Sequence, residues 1–275
     1  ECNIVSMKPT SIILDLLRTY GARGTSVQDI ANTGALFGFN DNRIRVSLSR
    51  LRAKGVIESC SRGHYRLCNT TDPVNAFAER WRLGEQRVTA WHGQWTCVHL
   101  PGSEKTGKSQ WALSNFGFAA MDPSLWIRPN NLSQRNEELK QQLHILGVPR
   151  DGIFITAAEL EPVLEQAWLK TFEPTKLNRR YLEMITLLEK SLTTLRKLPE
   201  PMAKKESFDL GGRGIQMLAK DPLLPEQMQH PATREKLWQT MCRYDEVGRQ
   251  VWAGQYKPDV TPTSQTEFTN TGVTL

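Results

Sequence analysis

The sequence predicts an α+β chain of three folded parts. Three observations predict it. Helical and strand-like periodicities succeed one another over the first 68 residues, and the surplus of positive charge is concentrated there. A β-α-β-β-α-β order follows between Trp91 and Thr156. From Ala158 onward the apolar spacing is helical. These patterns read as an N-terminal winged helix-turn-helix over 8–70, a linker helix over 71–90 and a ferredoxin-like (split βαβ) middle domain over 91–157. A helical C-terminal domain covers 158–254, and 255–275 form a Thr- and Ser-rich tail with little to bury, expected to be disordered.

The first helix is expected from Pro9 to Tyr20, with Ile12, Ile13, Leu16 and Leu17 inward and Gly21 at its end. Ser26 caps a second helix from Val27 to about Leu36, with Ile30 and Leu36 inward. Gly38-Phe39-Asn40 makes the turn into a third. That third helix, Asn40 to Gly55, carries Ile44, Leu48 and Leu51 at i, i+4 and i+7, one apolar stripe. Its opposite face carries Asn42, Arg43, Val46, Ser49 and Arg50, with Arg45 and Arg52 on one flank and Lys54 on the other. No acid follows Asp41 on it, whereas a merely solvated face mixes signs. At about 1.5 Å per residue it is ~20 Å long, short enough for a DNA major groove.

Val56–Ser59 and Gly63–Leu67 then form a hairpin with Ser61-Arg62-Gly63 at its tip, a wing on which Arg62 meets phosphate. From Lys8 to Cys68 there are ten Lys/Arg and four Asp/Glu, a surplus of six that equals the formal net charge of +6 of the whole chain. The remainder is neutral in sum, so the electrostatic footprint for nucleic acid belongs to one domain. The DNA-facing set expected from this reading is Asn42, Arg43, Arg45, Val46, Ser47, Ser49, Arg50, Arg62 and His64.

In the middle domain the strands are expected at Trp91–Leu100, Phe118–Met121, Ser124–Ile127 and Gly152–Thr156. Helices lie between them from about Thr106 to Phe116 and from Asn131 or Ser133 to Leu146. Trp95, Cys97 and His99 share one face of the first strand. Further helices follow around Val163, Leu164 and Trp168, and over Leu177–Leu198, Phe208–Leu218 and Thr233–Trp252. The proline-rich stretch Ala219–Pro231 reads as an ordered loop.

Cysteines 2, 60, 68, 97 and 242 are odd in number and form no CxxC, which reads as reduced, mostly buried thiols in a cytoplasmic protein. His92, Cys97 and His99 lie close together but lack a second ligand pair, so no metal site is expected. No apolar run is long enough to span a membrane, and no signal-peptide pattern opens the chain. Either Met7 reads as the start, or the first six residues read as a disordered tag.

Gly102 to Ser109 matches G-x-x-x-x-G-K-[ST] letter for letter, after a strand and before a helix, and Asp122 offers a weak Walker-B partner. A P-loop needs a parallel sheet with helical crossovers, and the split-βαβ order supplies none. The expectation is therefore a polar connection, no cofactor and no enzyme. The alternative is a nucleotide-binding enzyme using Lys108 and Ser109.

The chain resembles the PaaX-type repressors of aromatic-acid (phenylacetate) catabolism, from about Ser11 to Trp252. The anchors are Arg45-x-Ser47-Leu48-x-Arg50-Leu51 followed by Gly55, Arg62-x-x-Tyr65, Trp91-x-Gly93-x-Trp95 and Lys220-Asp221-Pro222-Leu223-Leu224-Pro225. The resemblance implies a dimeric repressor with a winged helix, a ferredoxin-like domain similar to a small CRISPR-associated nuclease, and a helical C-terminal domain. It implies a double-stranded DNA operator and release by a CoA thioester. The loop at 102–109 and the Thr-rich tail depart from the family pattern. Nuclease chemistry would need a carboxylate near the end of the first strand, and Cys97–Gly102 has none. For Trp91, Trp95 and the KDPLLP run, packing between domains and effector binding stay equally open. An effector-free DNA-binding module is a further alternative. For the dimer contact the sequence offers the middle sheet with Trp111 and Trp126, slightly favoured, and the long helices with Trp238 and Trp252.

Overall fold

The computed structural model describes residues 8–68, 79–101 and 107–253 of an α+β chain with two small antiparallel sheets. The expectations for residues 1–6, for the first half of the linker with Pro73, for Gly102–Thr106 and for the tail lie outside the described residues.

Three helices open the chain: α1 (Pro9–Tyr20), α2 (Val27–Leu36) and α3 (Asp41–Ala53). Ile13, Leu16 and Leu17 of α1, Ile30 of α2 and Ile44, Leu48 and Leu51 of α3 share one buried core. Each such side chain contributes ~1.5–3 kcal/mol on burial, and that burial, more than propensity, holds helices this short. A Cβ at Gly34 would come within 2.5 Å of Ile44 Cδ1, so glycine there lets α2 and α3 approach. Strands β1 (Thr25–Ser26), β2 (Ile57–Ser61) and β3 (His64–Leu67) form a sheet in the order β1-β3-β2. The hairpin is as expected. Strand β1 is an addition, because two residues show no alternation to read.

The second sheet has the order β5-β6-β4-β7, every neighbour antiparallel. Its strands are β4 (Trp95–His99), β5 (Ala119–Ala120), β6 (Leu125–Pro129) and β7 (Ile153–Ala157), with helices α4 (Gly107–Asn115) and α5 (Asn136–Ile145). Strand β4 is buried on both faces. Val98 packs with Leu113, Phe116, Trp126 and Leu143, while Trp95 and Cys97 pack with Ile127 and Trp168. His99, expected beside Trp95 and Cys97, is only half-buried. Helix α5 begins later than Asn131 or Ser133 because those residues are engaged elsewhere. Asn131 Nδ2 donates to the Leu223 carbonyl, Leu132 bridges Val88 and the Ser133 N–H donates to the Arg87 carbonyl.

Helices α6 (Pro162–Thr171), α7 (Pro174–Thr194), α8 (Glu200–Ala219) and α9 (Ala232–Trp252) complete the chain. Tyr181, Ile185 and Leu188 of α7, Leu210 and Leu218 of α8, and Leu237 and Met241 of α9 close a second core. The linker helix expected over 71–90 is corrected over 80–87, where the described residues depart from an α-helix. Arg80–Arg87 is 3₁₀, kinked at Gly84 (φ 51°) where Trp238 closes in, and Trp81 is buried in the helical core. That segment is part of the domain, not a tether.

The run Lys220–Pro225 joins the middle and helical parts. The Asp221 carboxylate accepts from Tyr181 OH at 2.6 Å and from the Leu223 N–H at 2.7 Å. Asn131 Nδ2 donates to the Leu223 carbonyl at 2.7 Å, and Arg234 Nη1 to the Leu224 carbonyl at 2.8 Å. These bonds hold Leu223 at φ 55°, a left-handed conformation costing about 1–3 kcal/mol. Buried Arg128 donates to the carbonyls of Phe116 and Pro222. Burial, reinforced by the nearby Arg80 and Arg87, pushes its pKa down to about 9. The N-terminal unit meets the helices through aromatics: Phe37 lies 5.1 Å from Phe208, and Phe208 lies 6.0 Å from Trp252.

Candidate nucleic-acid interface

Helix α3 starts where Asn40 accepts a hydrogen bond from the Arg43 N–H at 2.9 Å, and its C-cap is Lys54, with Gly55 next. Its apolar stripe faces the core, so the sequence between stripe positions is turned outward. Asn42, Arg43, Arg45, Val46, Ser49 and Arg50 are all exposed. Val46 is 41% exposed, an apolar side chain standing among cations and amides. Ser47 corrects the expected set. It is 8% exposed and faces inward, because at 100° per residue it lies about 40° from Leu51.

The cations are not equivalent. Arg45 Nε pairs with Asp41 at 2.5 Å, one turn earlier. The Arg43 guanidinium lies over the Phe39 ring, 5.6 Å from its centroid. Among the described residues, Arg43, Arg50, Arg52 and Lys54 have no ion-pair partner. Guanidinium forks present paired donors suited to phosphate and to the guanine edge, and a small apolar side chain suits a thymine methyl.

The hairpin brings Arg62 and His64 to one exposed tip, where His64 Nδ1 lies 3.3 Å from the Arg62 carbonyl. Across the hairpin Arg66 Nε donates to Glu58 at 2.8 Å, a pair in register further from that tip. Two supports escaped the sequence reading. Strand β1 ties the hairpin to the start of α2 through the Ser26–His64 pairing, and Phe39 sits beneath Arg43. Ser26 shows itself in sequence only as a helix cap, which it also is, accepting from the Asp29 N–H at 3.0 Å.

Of the P-loop lookalike, Lys108 and Ser109 open α4, and Ser109 is fully buried. Asp122 corrects the Walker-B reading. Its carboxylate accepts from the Ser124 N–H and hydroxyl and from the Leu125 N–H, closing the β5–β6 turn. Those bonds hold its pKa below the usual carboxylate range, the Ser124 hydroxyl most of all. Of the four described cysteines only Cys97 is fully buried, and Cys60 is exposed, which corrects the expectation of mostly buried thiols. No described helix is long and apolar enough to cross a membrane.

No protein-family model matches the chain, and no curated protein matches it. Among solved structures it is similar to an uncharacterized protein, Rv0674, from Mycobacterium tuberculosis. The TM-score is 0.53 at 18% sequence identity, over 90% of this chain and 100% of that one. At that identity the likeness concerns the fold alone.

Proposed function

We propose that this chain is a DNA-binding transcriptional regulator, a repressor of the PaaX type that acts as a homodimer in the cytoplasm. In this reading it binds a double-stranded operator of aromatic-acid catabolism genes and leaves it on binding an aryl- or acyl-CoA. The observation that carries the reading is the outward face of α3, where Arg43 and Arg50 stand exposed on the side opposite Ile44, Leu48 and Leu51. Three helices followed by a β2–β3 hairpin support a winged helix-turn-helix, with α3 as the recognition helix. The strand order β5-β6-β4-β7 supports a ferredoxin-like middle domain. An all-antiparallel sheet speaks against nucleotide chemistry at Lys108.

Release by a ligand is linkage: the ligand must bind the DNA-incompetent arrangement better than the competent one. The test starts with an operator selected from random duplexes. Arg43→Ala or Arg50→Ala should then weaken binding by ~1–3 kcal/mol in a gel-shift titration, if the residue reads a base. Unchanged affinity in both variants would show that α3 does not read DNA.

A further inference from the structure

A groove of about 1,070 Å³ lies between the middle sheet and helices α7 and α8. Its apolar wall is built from Phe118 before β5, Phe172 after α6, Leu177 and Met184 of α7, and Met217 of α8. Three cations face it from separate places: Arg180 on α7, Arg213 on α8 and Lys220 just past the end of α8. Among the described residues none of the three has an ion-pair partner. Two acids reach the groove. They are Asp209 and Asp221, the latter held by the Tyr181 hydroxyl and the Leu223 N–H, which are neutral donors and leave its charge in place. Three cations against two acids leave the lining net positive, which favours an anion over a cation. The volume lies just above the range of about 300–1,000 Å³ usual for small-molecule sites, so it has room for a ligand of that size.

Helix α8 connects this groove to the DNA-facing unit. Asp209, Arg213 and Gln216 recur at i, i+4 and i+7, the face turned to the groove. Phe208, one residue earlier, lies 5.1 Å from Phe37, which stands at the end of α2 immediately before the turn into α3. The same Phe208 lies 6.0 Å from Trp252, which packs against the N-terminal core. One continuous helix thus touches both the groove and the entry to α3.

We propose that the groove binds an amphipathic organic anion, an apolar acyl or aryl body with a carboxylate or phosphate head, and that α8 carries its occupancy through Phe208 to Phe37 and α3. The consequence for DNA rests on the reading of α3 given above; the site and its link to Phe37 do not.

Calorimetric titration with octanoate, octanoyl-CoA and octanol tests the site. At least one of the two anions should bind, one per chain, and octanol should not. Octanoate binding assigns the head to a carboxylate, and binding of octanoyl-CoA alone assigns it to phosphate. Arg213→Glu should weaken that binding at least about tenfold. Hydrogen exchange tests the link: the bound anion should change exchange across 37–53 in the wild type. In Phe208→Leu that change should vanish while groove affinity stays within about twofold. Phe37→Leu, made from the other side of the contact, should behave the same and replaces it if Phe208→Leu melts early. No binding of either anion, equal binding of octanol, or indifference to Arg213→Glu would remove the site. Unaltered exchange in the liganded wild type would remove the link. A chain that binds the anion through Arg213 yet no DNA would sink only the reading of α3.

Discussion

Asp221 is the residue at which the middle sheet, the late loop and the helical core meet. Its carboxylate is held by the Tyr181 hydroxyl and the Leu223 N–H, away from bulk water. Tyr181→Phe removes the phenol donor and leaves a buried charge short of a partner, a loss of about 1–3 kcal/mol by urea denaturation at pH 8. Burial first, then the Asp221 charge and hydrogen bond, raise the Tyr181 pKa well above the usual phenol value. The sign follows from linkage. A raised folded pKa gives stability that is complete below the unfolded value of about 10 and is lost as pH climbs through the folded one. The wild type should therefore lose stability above pH 10 more steeply than Tyr181→Phe, and equal slopes would show that Tyr181 ionises freely in the fold. Burial likewise pushes the Cys97 thiol up to about 11, whereas Cys60 is exposed. At pH 8 iodoacetamide should modify Cys60 and spare Cys97 until the chain unfolds, as peptide mapping would read.

At the scale of elements, α3 was legible because three independent signals agree. Asn40 caps it, Ile44, Leu48 and Leu51 define its inner face, and Gly55 follows its end. Ser47 was not legible. It sits at the margin of the stripe, where the packing of neighbouring helices, not the residue itself, decides exposure. The hairpin was legible from its period-two run and Gly63, and its orientation follows from β1, which holds it against the start of α2. With Arg62 at that exposed tip, Arg62→Ala should weaken binding to all duplexes about equally and lower the salt slope by ~1 in titrations across ionic strengths. A loss confined to one base pair would mean that the hairpin reads sequence. The segment 80–87 was misread as an α-helix because its course depends on Trp238, 154 residues after Gly84.

At the scale of the whole molecule the proposed dimer needs a surface. Trp126 and Trp252, offered by the sequence for that purpose, are used inside the chain: Trp126 is buried beside Val98, and Trp252 leans on the N-terminal core. What stays open is the edge of the second sheet. Strand β7 pairs only with β4 among the described residues, and its Ile153 and Ile155 are 49% and 48% exposed. An unpaired, apolar edge favours pairing with another strand. Light scattering should give a mass near twice 31.3 kDa, with half-sites about one helical turn, or a multiple of it, apart on the operator. Ile155→Lys should shift the mass toward the monomer if this edge forms the contact. A monomer both free and on DNA would remove the dimer.

By itself the sequence determined what short-range chemistry can fix: the capped and stripe-patterned helices, the β2–β3 hairpin, the gathering of positive charge in the first 68 residues and the helical run after Ala158. The helices and the hairpin depend on residues close along the chain, and the charge is a simple sum over it. Tertiary structure decided the rest: the inward turn of Ser47, the kink at Gly84, the left-handed Leu223 and the meeting of Arg180, Arg213 and Lys220 at one groove. The physical reason is distance along the chain. A cation at 180 and one at 213 show no relation in sequence, and only the packing of α7 and α8 onto one core brings their charges to the same space.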